Sequence, residues 1–135
     1  MLNLLHGISQ ELSVIAISET WLNKINEDCF SICGYNYVSN RRVDKTGGGV
    51  GIYLNNALVY SVREDLSRMF TFIECIFVEI IQPFSKNIIV GCVYRPPDTD
   101  LTMFYTEMAI ILDVINVRNT KLAFVLGDFN VDLIV

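Results

Sequence analysis

Two almost uninterrupted apolar runs constrain the fold of this chain more than any other feature. They are "SVIAIS" at 13–18 and "KLAFVL" at 121–126, and each follows a segment with apolar residues at helical spacing, at 2–12 and at 102–118. A strand that is apolar on both faces has to be covered on both faces, as strands of layered α/β proteins are. We therefore predict an α/β fold in which sheets pack face to face with helices outside.

The stretch between these runs has the apolar patterns and turn signals of several more strands. We predict them at 34–40, 50–55, 57–62, 70–81 and 87–95. The segment "RRVDKTGGG" at 41–49 ends in three glycines, so it is expected to join two antiparallel strands. The strands on either side of Pro83 are so close in sequence that they predict a hairpin. Because no linker or repeat is visible, residues 1–135 are expected to belong to one domain.

The composition narrows the class of partner. Of the 135 residues 52% are apolar and the mean hydropathy is +0.41, yet no 18-residue window is free of charge, so a membrane span is not expected. The net charge of −5 argues against binding nucleic acid through a broad basic surface. It remains compatible with an enzyme that holds a divalent cation among carboxylates.

The N-terminal residues and the cysteines bear on the compartment. The first 13 residues lack the basic segment of a secretory signal peptide. Without such a signal, the four cysteines are expected to be reduced thiols in an intracellular protein. Cys75 and Cys92 lie inside apolar strand patterns, which predicts small buried hydrophobic side chains.

Polar residues follow three of the predicted strands at the point where each strand ends. Glu19 follows the first run, Tyr94 and Arg95 end the strand at 87–95, and Asp128 and Asn130 follow the last run. A rigid scaffold can direct side chains from strand ends into one cleft. In extended chain, residues two apart point the same way, so both members of the last pair are expected to face that cleft. Each residue taken alone is more often a cap, a turn residue or a solvated side chain.

Four motifs in this order resemble a known family. They are "SETWL" at 18–22, "RRVDKTGGGVGIYL" at 41–54, "VYRPP" at 93–97 and "LGDFN" at 126–130. Together they resemble the endonuclease domain of non-LTR (LINE-like) retrotransposons, in the endonuclease/exonuclease/phosphatase superfamily. The resemblance implies a deoxyribonuclease-I-like fold, a four-layer α/β/β/α sandwich, of which residues 1–135 would form an incomplete domain.

The resemblance also implies roles for four catalytic residues. Glu19 matches the glutamate that binds the metal ion, expected to be Mg²⁺ or Mn²⁺, which prefer carboxylate oxygen. Tyr94 matches a residue that donates to phosphate or to a developing oxyanion. Asp128 matches the aspartate that orients or deprotonates the attacking water, and Asn130 matches the asparagine that contacts the scissile phosphate.

Further residues are given supporting roles by the same resemblance. Arg95 and Arg42 are expected near flanking phosphates of the DNA, although a solvated turn is the plainer reading of Arg42. Glu74 resembles a carboxylate that orients a catalytic histidine, and the alternative is an edge-strand or outward-facing charge. Trp21 is interpreted as core or loop packing rather than as a platform for base stacking.

The chain also departs from the family pattern at both ends. The family has an N-terminal strand with a metal-site asparagine and a C-terminal Asp-His pair, and the only histidine here is His6. We therefore expect a fragment truncated at both ends, in which the 135 residues alone do not catalyse the reaction. The parent domain would nick DNA in a protein that also carries a reverse transcriptase, with access to the nucleus and without a small-molecule cofactor.

Two other functions remain open. A phosphatase acting on a small phosphoester would use the same superfamily chemistry on another substrate. A non-catalytic relic or interaction module would keep the fold without turnover.

Overall fold

The computed structural model describes residues 11–22, 30–43, 47–117 and 122–132. In these ranges the chain forms strands β1 (Val14–Ser18), β2 (Tyr35–Asn40), β3 (Val50–Asn55), β4 (Tyr60–Val62), β5 (Arg68–Phe70), β6 (Ile73–Ile80), β7 (Ile88–Tyr94) and β8 (Leu122–Asp128), and helix α1 (Leu101–Asn116). Most bounds agree with the sequence prediction to within one or two residues. The exceptions are the segment at 57–62, which narrows to β4, and the segment at 70–81, which supplies β6 and the last residue of a separate strand, β5.

The first sheet has three antiparallel strands in the order β1-β3-β2. The pairing of β2 with β3 runs from Tyr35 opposite Asn55 to Asn40 opposite Val50. The glycine-rich segment at 41–49 therefore joins antiparallel strands, as predicted. We call this the small sheet.

The second sheet, the large sheet, has the order β4-β6-β7-β8, and β5 also pairs with β6. Strands β6 and β7 form the predicted antiparallel hairpin, from Glu74 opposite Tyr94 to Ile80 opposite Ile88. Strand β8 runs parallel to β7 because α1 carries the chain back along the sheet between them. The register brings Asp128 beside Tyr94 at one end of the large sheet.

Two hydrophobic cores hold three layers together. Between the sheets the buried residues are Val50, Ile52, Leu54, Ile76, Val78, Ile80, Val90, Cys92 and Tyr94. Between the large sheet and the helix they are Leu66, Ile73, Cys75, Phe77, Ile89, Val93, Phe104 and Ile111. The α/β prediction with facing sheets is therefore confirmed. The helix predicted at 2–12 lies largely outside the described residues, so the fourth layer stays an expectation.

Helix α1 covers the outer face of the large sheet. It begins after Asp100, whose side chain accepts the backbone N–H of Met103 at 2.9 Å and so caps the first turn. Phe104 and Ile111, seven residues apart, are its buried residues, which is the spacing of one helix face. Within the described part of the chain, no helix is long and apolar enough to cross a membrane.

Strand β8 is less buried than its apolar sequence predicts. Leu122, Phe124 and Leu126 are each about half exposed, because β8 pairs only with β7 and forms the edge of the described sheet. The expectation of a strand buried on both faces is therefore wrong here. Gly127 has a φ of +145°, and a Cβ at this position would overlap the carbonyl oxygen of Val93, so the two backbones approach closely just before Asp128.

Cys75 and Cys92 are fully buried, as their apolar surroundings in the sequence predict. Burial raises the pKa of the Cys75 thiol to about 12 and that of the Cys92 thiol to about 11. Both thiols are therefore protonated at neutral pH and act as small hydrophobic groups.

Candidate active site

Three polar side chains form one row across the large sheet. Glu74 on β6 is the register partner of Tyr94 on β7, which is in turn the partner of Asp128 at the end of β8. Directly paired residues project from the same face, and neighbouring strands lie about 4.8 Å apart. Tyr94 belongs to the core between the sheets, so the row faces the small sheet. Two carboxylates and a phenol thus share one end of the inter-sheet space.

The small sheet contributes Glu19 to this place. Glu19 follows the last residue of β1, and its Oε1 accepts the hydroxyl proton of Tyr94 in a short hydrogen bond. The carboxylate itself is exposed, whereas Tyr94 is only 3% exposed. Two of the predicted catalytic residues, 75 positions apart in sequence, are therefore in direct contact.

The surroundings of Tyr94 keep its hydroxyl protonated. Burial, the hydrogen bond to Glu19 and the negative charges of Glu19 and Glu74 raise the pKa of Tyr94 to about 12, and Arg42 partly opposes them. At neutral pH the phenol is therefore a hydrogen-bond donor that points at a carboxylate.

Glu74 is buried, with 1% of its surface exposed. Its Oε2 accepts the backbone N–H of Gly49 at 2.6 Å, and its Oε1 forms a close ion pair with Nε of Arg42. The reading of Glu74 as an outward-facing charge is therefore wrong. Its observed partners are the glycine turn and an arginine, and the only histidine of the chain, His6, lies outside the described residues.

The glycine turn connects Glu74 to the segment that carries Glu19. The carbonyl oxygens of Gly48 and Gly49 accept the backbone N–H groups of Trp21 at 3.0 Å and Thr20 at 3.2 Å. The buried carboxylate of Glu74 thus binds the glycine turn, and the glycine turn holds the two residues that follow Glu19.

Both turn glycines are required by space as well as by backbone angle. Their φ values are +68° at Gly48 and +85° at Gly49. A Cβ on Gly48 would lie 2.7 Å from Glu74 Oε2, and a Cβ on Gly49 would lie 2.6 Å from Thr20 Oγ1. Thr20 Oγ1 is buried without a hydrogen-bond partner in the described structure. Glycine at these two positions therefore allows a close approach that a Cβ would disturb, because the neighbouring side chains would have to move.

Asp128 and Asn130 lie in a turn that begins where β8 ends. Asp128 is exposed, and its Oδ1 accepts the backbone N–H of Asn130 at 3.1 Å. Asn130 has a φ of +44°, so the alternation of an extended strand does not continue to it, and the prediction that Asp128 and Asn130 point the same way along a strand is wrong. The two residues nevertheless line the same cavity of about 480 Å³, together with Phe129, Val131 and Asp132.

Arg95 and Asn130 hold each other through backbone groups. Nη1 of Arg95 donates to the carbonyl oxygen of Asn130 at 2.6 Å, and Nδ2 of Asn130 donates to the carbonyl oxygen of Arg95 at 2.8 Å. Nη2 of Arg95 donates to the carbonyl oxygen of Thr99, and Nε is buried without a partner among the described residues. In this structure Arg95 therefore shapes the turn that carries Asp128, and its phosphate contact stays a prediction.

A larger cavity of about 590 Å³ opens beside Glu74. It is lined by Arg41, Arg42, Val43, Met69, Phe70, Thr71, Glu74, Pro96 and Thr99. Arg42 lies on its wall while paired with Glu74 and keeps about a quarter of its side chain exposed. The site therefore has room for a ligand next to a guanidinium group.

The side chains present fit a partly hydrated cation better than a closed protein cage. Among the described residues, no three His, Cys, Asp or Glu side chains cluster as a metal site. Mg²⁺ usually keeps several waters and is held by one or two carboxylates together with substrate phosphate oxygens. The exposed carboxylate of Glu19, oriented by Tyr94, fits the position of one such ligand.

Sequence reasoning missed the contact between Glu74 and the glycine turn. The three glycines signalled a special backbone, but nothing in the sequence indicated that a carboxylate 25 residues away accepts one of their N–H groups. The sequence predicts for Arg42 either a solvated turn or a contact with DNA, and only the structure reveals its pairing with Glu74.

Comparison with known proteins identifies the family of this chain. The model of the Endonuclease/Exonuclease/phosphatase family matches residues 2–134, nearly the whole chain. No curated protein and no solved structure matches the chain significantly. Enzymes of this family hydrolyse phosphodiesters or other phosphoesters and generally use divalent metal ions. The chain therefore belongs to the endonuclease/exonuclease/phosphatase family.

Proposed function

We propose that this domain is of the type that hydrolyses phosphodiester bonds of DNA with Mg²⁺ or Mn²⁺, as the endonuclease domain of a LINE-like retrotransposon, and that residues 1–135 by themselves show little or no turnover. One observation carries the proposal: Glu19 of the small sheet meets Tyr94 of the large sheet, in the row that ends with Asp128. Acidic and hydrogen-bonding groups from three strand ends thus converge where a cation and a phosphate could share them.

The cation would be held by Glu19. When bound, such an ion stabilises negative charge on phosphoryl oxygens and lowers the pKa of a bound water. Tyr94 has one hydroxyl proton, which it donates to Glu19 in this structure and which stays on the phenol at neutral pH. When a cation holds the Glu19 carboxylate, the same proton would be donated to a phosphate oxygen instead.

Asp128 would act on the attacking water. Its exposed carboxylate takes a proton from the water as the new P–O bond forms. The bond between phosphorus and the 3′ oxygen breaks, and the leaving oxygen takes a proton from solvent, which yields a 3′-hydroxyl and a 5′-phosphate. Asn130 would contact the scissile phosphate, and Arg42 and Arg95 the flanking phosphates.

The resemblance of the four motifs to LINE-like endonucleases extends the proposal to the parent protein. The 3′-hydroxyl freed by a nick would prime reverse transcription by a polymerase in the same protein. DNA is then the partner, and the protein would act inside the cell with access to the nucleus.

The metal part of the proposal is tested by binding. Mn²⁺ is titrated into the wild-type chain and into Glu19→Gln, and its binding is followed by the relaxation of water protons. We expect Glu19→Gln to weaken Mn²⁺ binding by about tenfold or more, since it removes a charged ligand. Glu64→Gln, a change at an exposed glutamate, is the matched control and is expected to bind as the wild type does. Equal affinities of Glu19→Gln and the wild type would contradict the role of Glu19.

The substrate is tested by cleavage. Supercoiled plasmid and a panel of small phosphoesters, including inositol phosphates, are incubated with the chain and Mg²⁺. Nicking that Asp128→Asn reduces by about 10²–10⁴-fold supports the nuclease and contradicts the expectation that these residues alone are inactive. Preferential turnover of a small phosphoester would instead favour the phosphatase.

One observation favours a non-catalytic role as the second candidate. Arg95, Asn130 and Glu74 all make hydrogen bonds to backbone groups in this structure. An interaction module that kept the fold would retain these contacts without turnover. Absence of both nicking and Glu19-dependent Mn²⁺ binding would support this candidate.

A further inference from the structure

We propose that Trp21 is a stacking platform for a nucleobase of DNA that lies next to the scissile phosphate. The inference rests on the proposed function and deepens it, because it assigns a base contact to the same site. It concerns a residue two positions after Glu19, on the segment that the glycine turn holds.

Trp21 is 61% exposed, so it does not pack in the core. The alternative, that it packs on a loop, agrees with its position against the glycine turn. Part of the ring is supported from within, because a Cβ built on Gly47 would lie 3.6 Å from Cη2 and Cζ2 of Trp21. The ring therefore rests on the glycine turn and presents the rest of its surface to solvent. A large aromatic face that is held in place and open to solvent is suited to stacking on a planar ligand.

The backbone of Trp21 is also held in an uncommon conformation. Its φ is +53°, in the left-handed region that bulky residues rarely adopt. The bond from its backbone N–H to the carbonyl oxygen of Gly48, at 3.0 Å, fixes this conformation. Strained backbone that directs a side chain into solvent is typical of functional sites.

Trp21 and Arg42 together offer one group for each of the two parts of a nucleotide, the base and the phosphate. A Cβ on Gly47 would lie 3.6 Å from the indole ring, and a Cβ on the next residue, Gly48, would lie 2.7 Å from Cζ of Arg42, which is paired with Glu74. The indole ring of Trp21 and the guanidinium of Arg42 therefore lie beside consecutive residues of the glycine turn. A nucleotide presents both an aromatic base and an anionic phosphate, whereas a simple phosphoester lacks the base.

The charge of the chain makes such a contact useful. With a net charge of −5 the chain does not bind a polyanion through a broad basic surface. Base stacking on an aromatic side chain contributes affinity that does not depend on charge, and its removal typically weakens binding by about 5–150-fold.

The test uses the fact that Trp21 is the only tryptophan of the chain. Its fluorescence is measured while a short single-stranded oligonucleotide is added without divalent metal, so that no cleavage occurs. We expect quenching, because the base contacts the indole ring directly. An oligonucleotide of equal length made of abasic sites keeps the phosphates and is expected to quench little.

Variants then measure the contribution of the ring, with binding followed by the anisotropy of a labelled oligonucleotide. Trp21→Asn removes the ring and suits the left-handed backbone, so the fold is expected to keep its stability while affinity falls about tenfold. Trp21→Phe keeps an aromatic face and is expected to stay within about threefold of the wild type. Phe84→Ala is the matched control: Phe84 is 99% exposed, in the turn between β6 and β7, at the end of the hairpin opposite Glu74 and Tyr94.

The possible results separate this inference from the proposed function. Unchanged affinity of Trp21→Asn, or equal quenching by the abasic oligonucleotide, overturns the stacking role, as does the absence of quenching by any oligonucleotide. Equal loss of affinity in Phe84→Ala also overturns it. Glu19→Gln tests the metal function alone: it is expected to lose Mn²⁺ binding and to keep the quenching of Trp21.

Discussion

The backbone N–H of Gly49 donates to the buried carboxylate of Glu74 at 2.6 Å, and this bond joins the two sheets at the candidate site. Gly49 directly precedes β3, the small sheet's central strand, and its carbonyl oxygen accepts the N–H of Thr20, next to Glu19. A carboxylate on the large sheet therefore positions the segment that carries the proposed metal ligand. The same carboxylate holds Arg42, so one side chain organises both a negative and a positive part of the site.

The first prediction concerns the ion pair of Arg42 with Glu74. Replacing Glu74 by Gln leaves the half-buried guanidinium without its charged partner, and the free energy of unfolding is expected to fall by about 2–3 kcal/mol. A double-mutant cycle with Arg42→Gln, measured by urea denaturation, is expected to give a coupling energy of about 1.5–3 kcal/mol. Strictly additive effects would show that the pair is not coupled, and Glu64→Gln serves as the exposed control.

The second prediction compares two glycines with nearly equal φ values. Gly34 has a φ of +88° with nothing within 4 Å of an added Cβ, whereas Gly49 has a φ of +85° and Thr20 Oγ1 at 2.6 Å. Alanine at Gly34 is expected to cost only the strain of the left-handed backbone, about 1–2 kcal/mol. Alanine at Gly49 is expected to cost about 1–3 kcal/mol more, because Thr20 must also move. Equal losses in thermal unfolding would mean that the close approach at Gly49 has no energetic weight.

The third prediction concerns stability at high pH. The pKa of Tyr94 is raised in the folded chain from 10.0 to about 12, so the folded state holds the phenol proton more tightly than the unfolded chain does. This contribution is fully present below pH 10 and is lost as the pH rises through about 12. Its size is at most about 2–3 kcal/mol.

Tyr94→Phe supplies the comparison for this pH dependence. Tyr53, Cys75 and Cys92 also have raised pKa values, chiefly from burial, and they destabilise both proteins alike at high pH. The difference in unfolding free energy between the wild type and Tyr94→Phe is therefore expected to shrink above pH 10. A difference that stays constant with pH would contradict the raised pKa of Tyr94.

The fourth prediction concerns the turn that carries Asp128. Lysine in place of Arg95 cannot reach the carbonyl oxygens of both Asn130 and Thr99, so the free energy of unfolding is expected to fall by about 2 kcal/mol. Lys86→Arg, at an exposed position between β6 and β7, should change stability by less than about 0.5 kcal/mol. If Arg95→Lys is as stable as the wild type, the bonds of Arg95 to these carbonyl oxygens do not stabilise the turn, and Arg95 would remain available for the predicted contact with phosphate.

Much of the fold could be predicted because the ends of most strands are marked in the sequence by the residues that follow them. Strands β1, β3 and β7 end at polar or proline-containing segments, and the prediction places them to within one residue. Strand β5 was missed because the turn between Phe70 and Ile73 is made of Thr71 and Phe72, neither of which is a typical residue of tight hairpins. The exposure of β8 could not be predicted either, since an apolar run reads the same at the edge and in the middle of a sheet.

The site was predictable in its strand ends and not in its long-range contacts. Glu19, Tyr94 and Asp128 stand where strands end, and the structure brings them to one end of the sheets. Their chemical roles stay predictions. The burial of Glu74 depends on Arg42, which is 32 residues away, and a single sequence does not reveal which distant charge compensates a buried one.

The close approach of Gly127 to the backbone of Val93 also bears on the register in which β8 pairs with β7. Side chains alternate across a strand, so a slip by one residue would place Gly127 or Phe129 beside Tyr94 and turn the carboxylate of Asp128 to the helix side. Gly127 is the only residue of β8 without a Cβ, and at the carbonyl oxygen of Val93 no other residue of that strand fits. We therefore expect steric overlap to disfavour a shifted register of β8 and so to keep the carboxylate of Asp128 beside Tyr94.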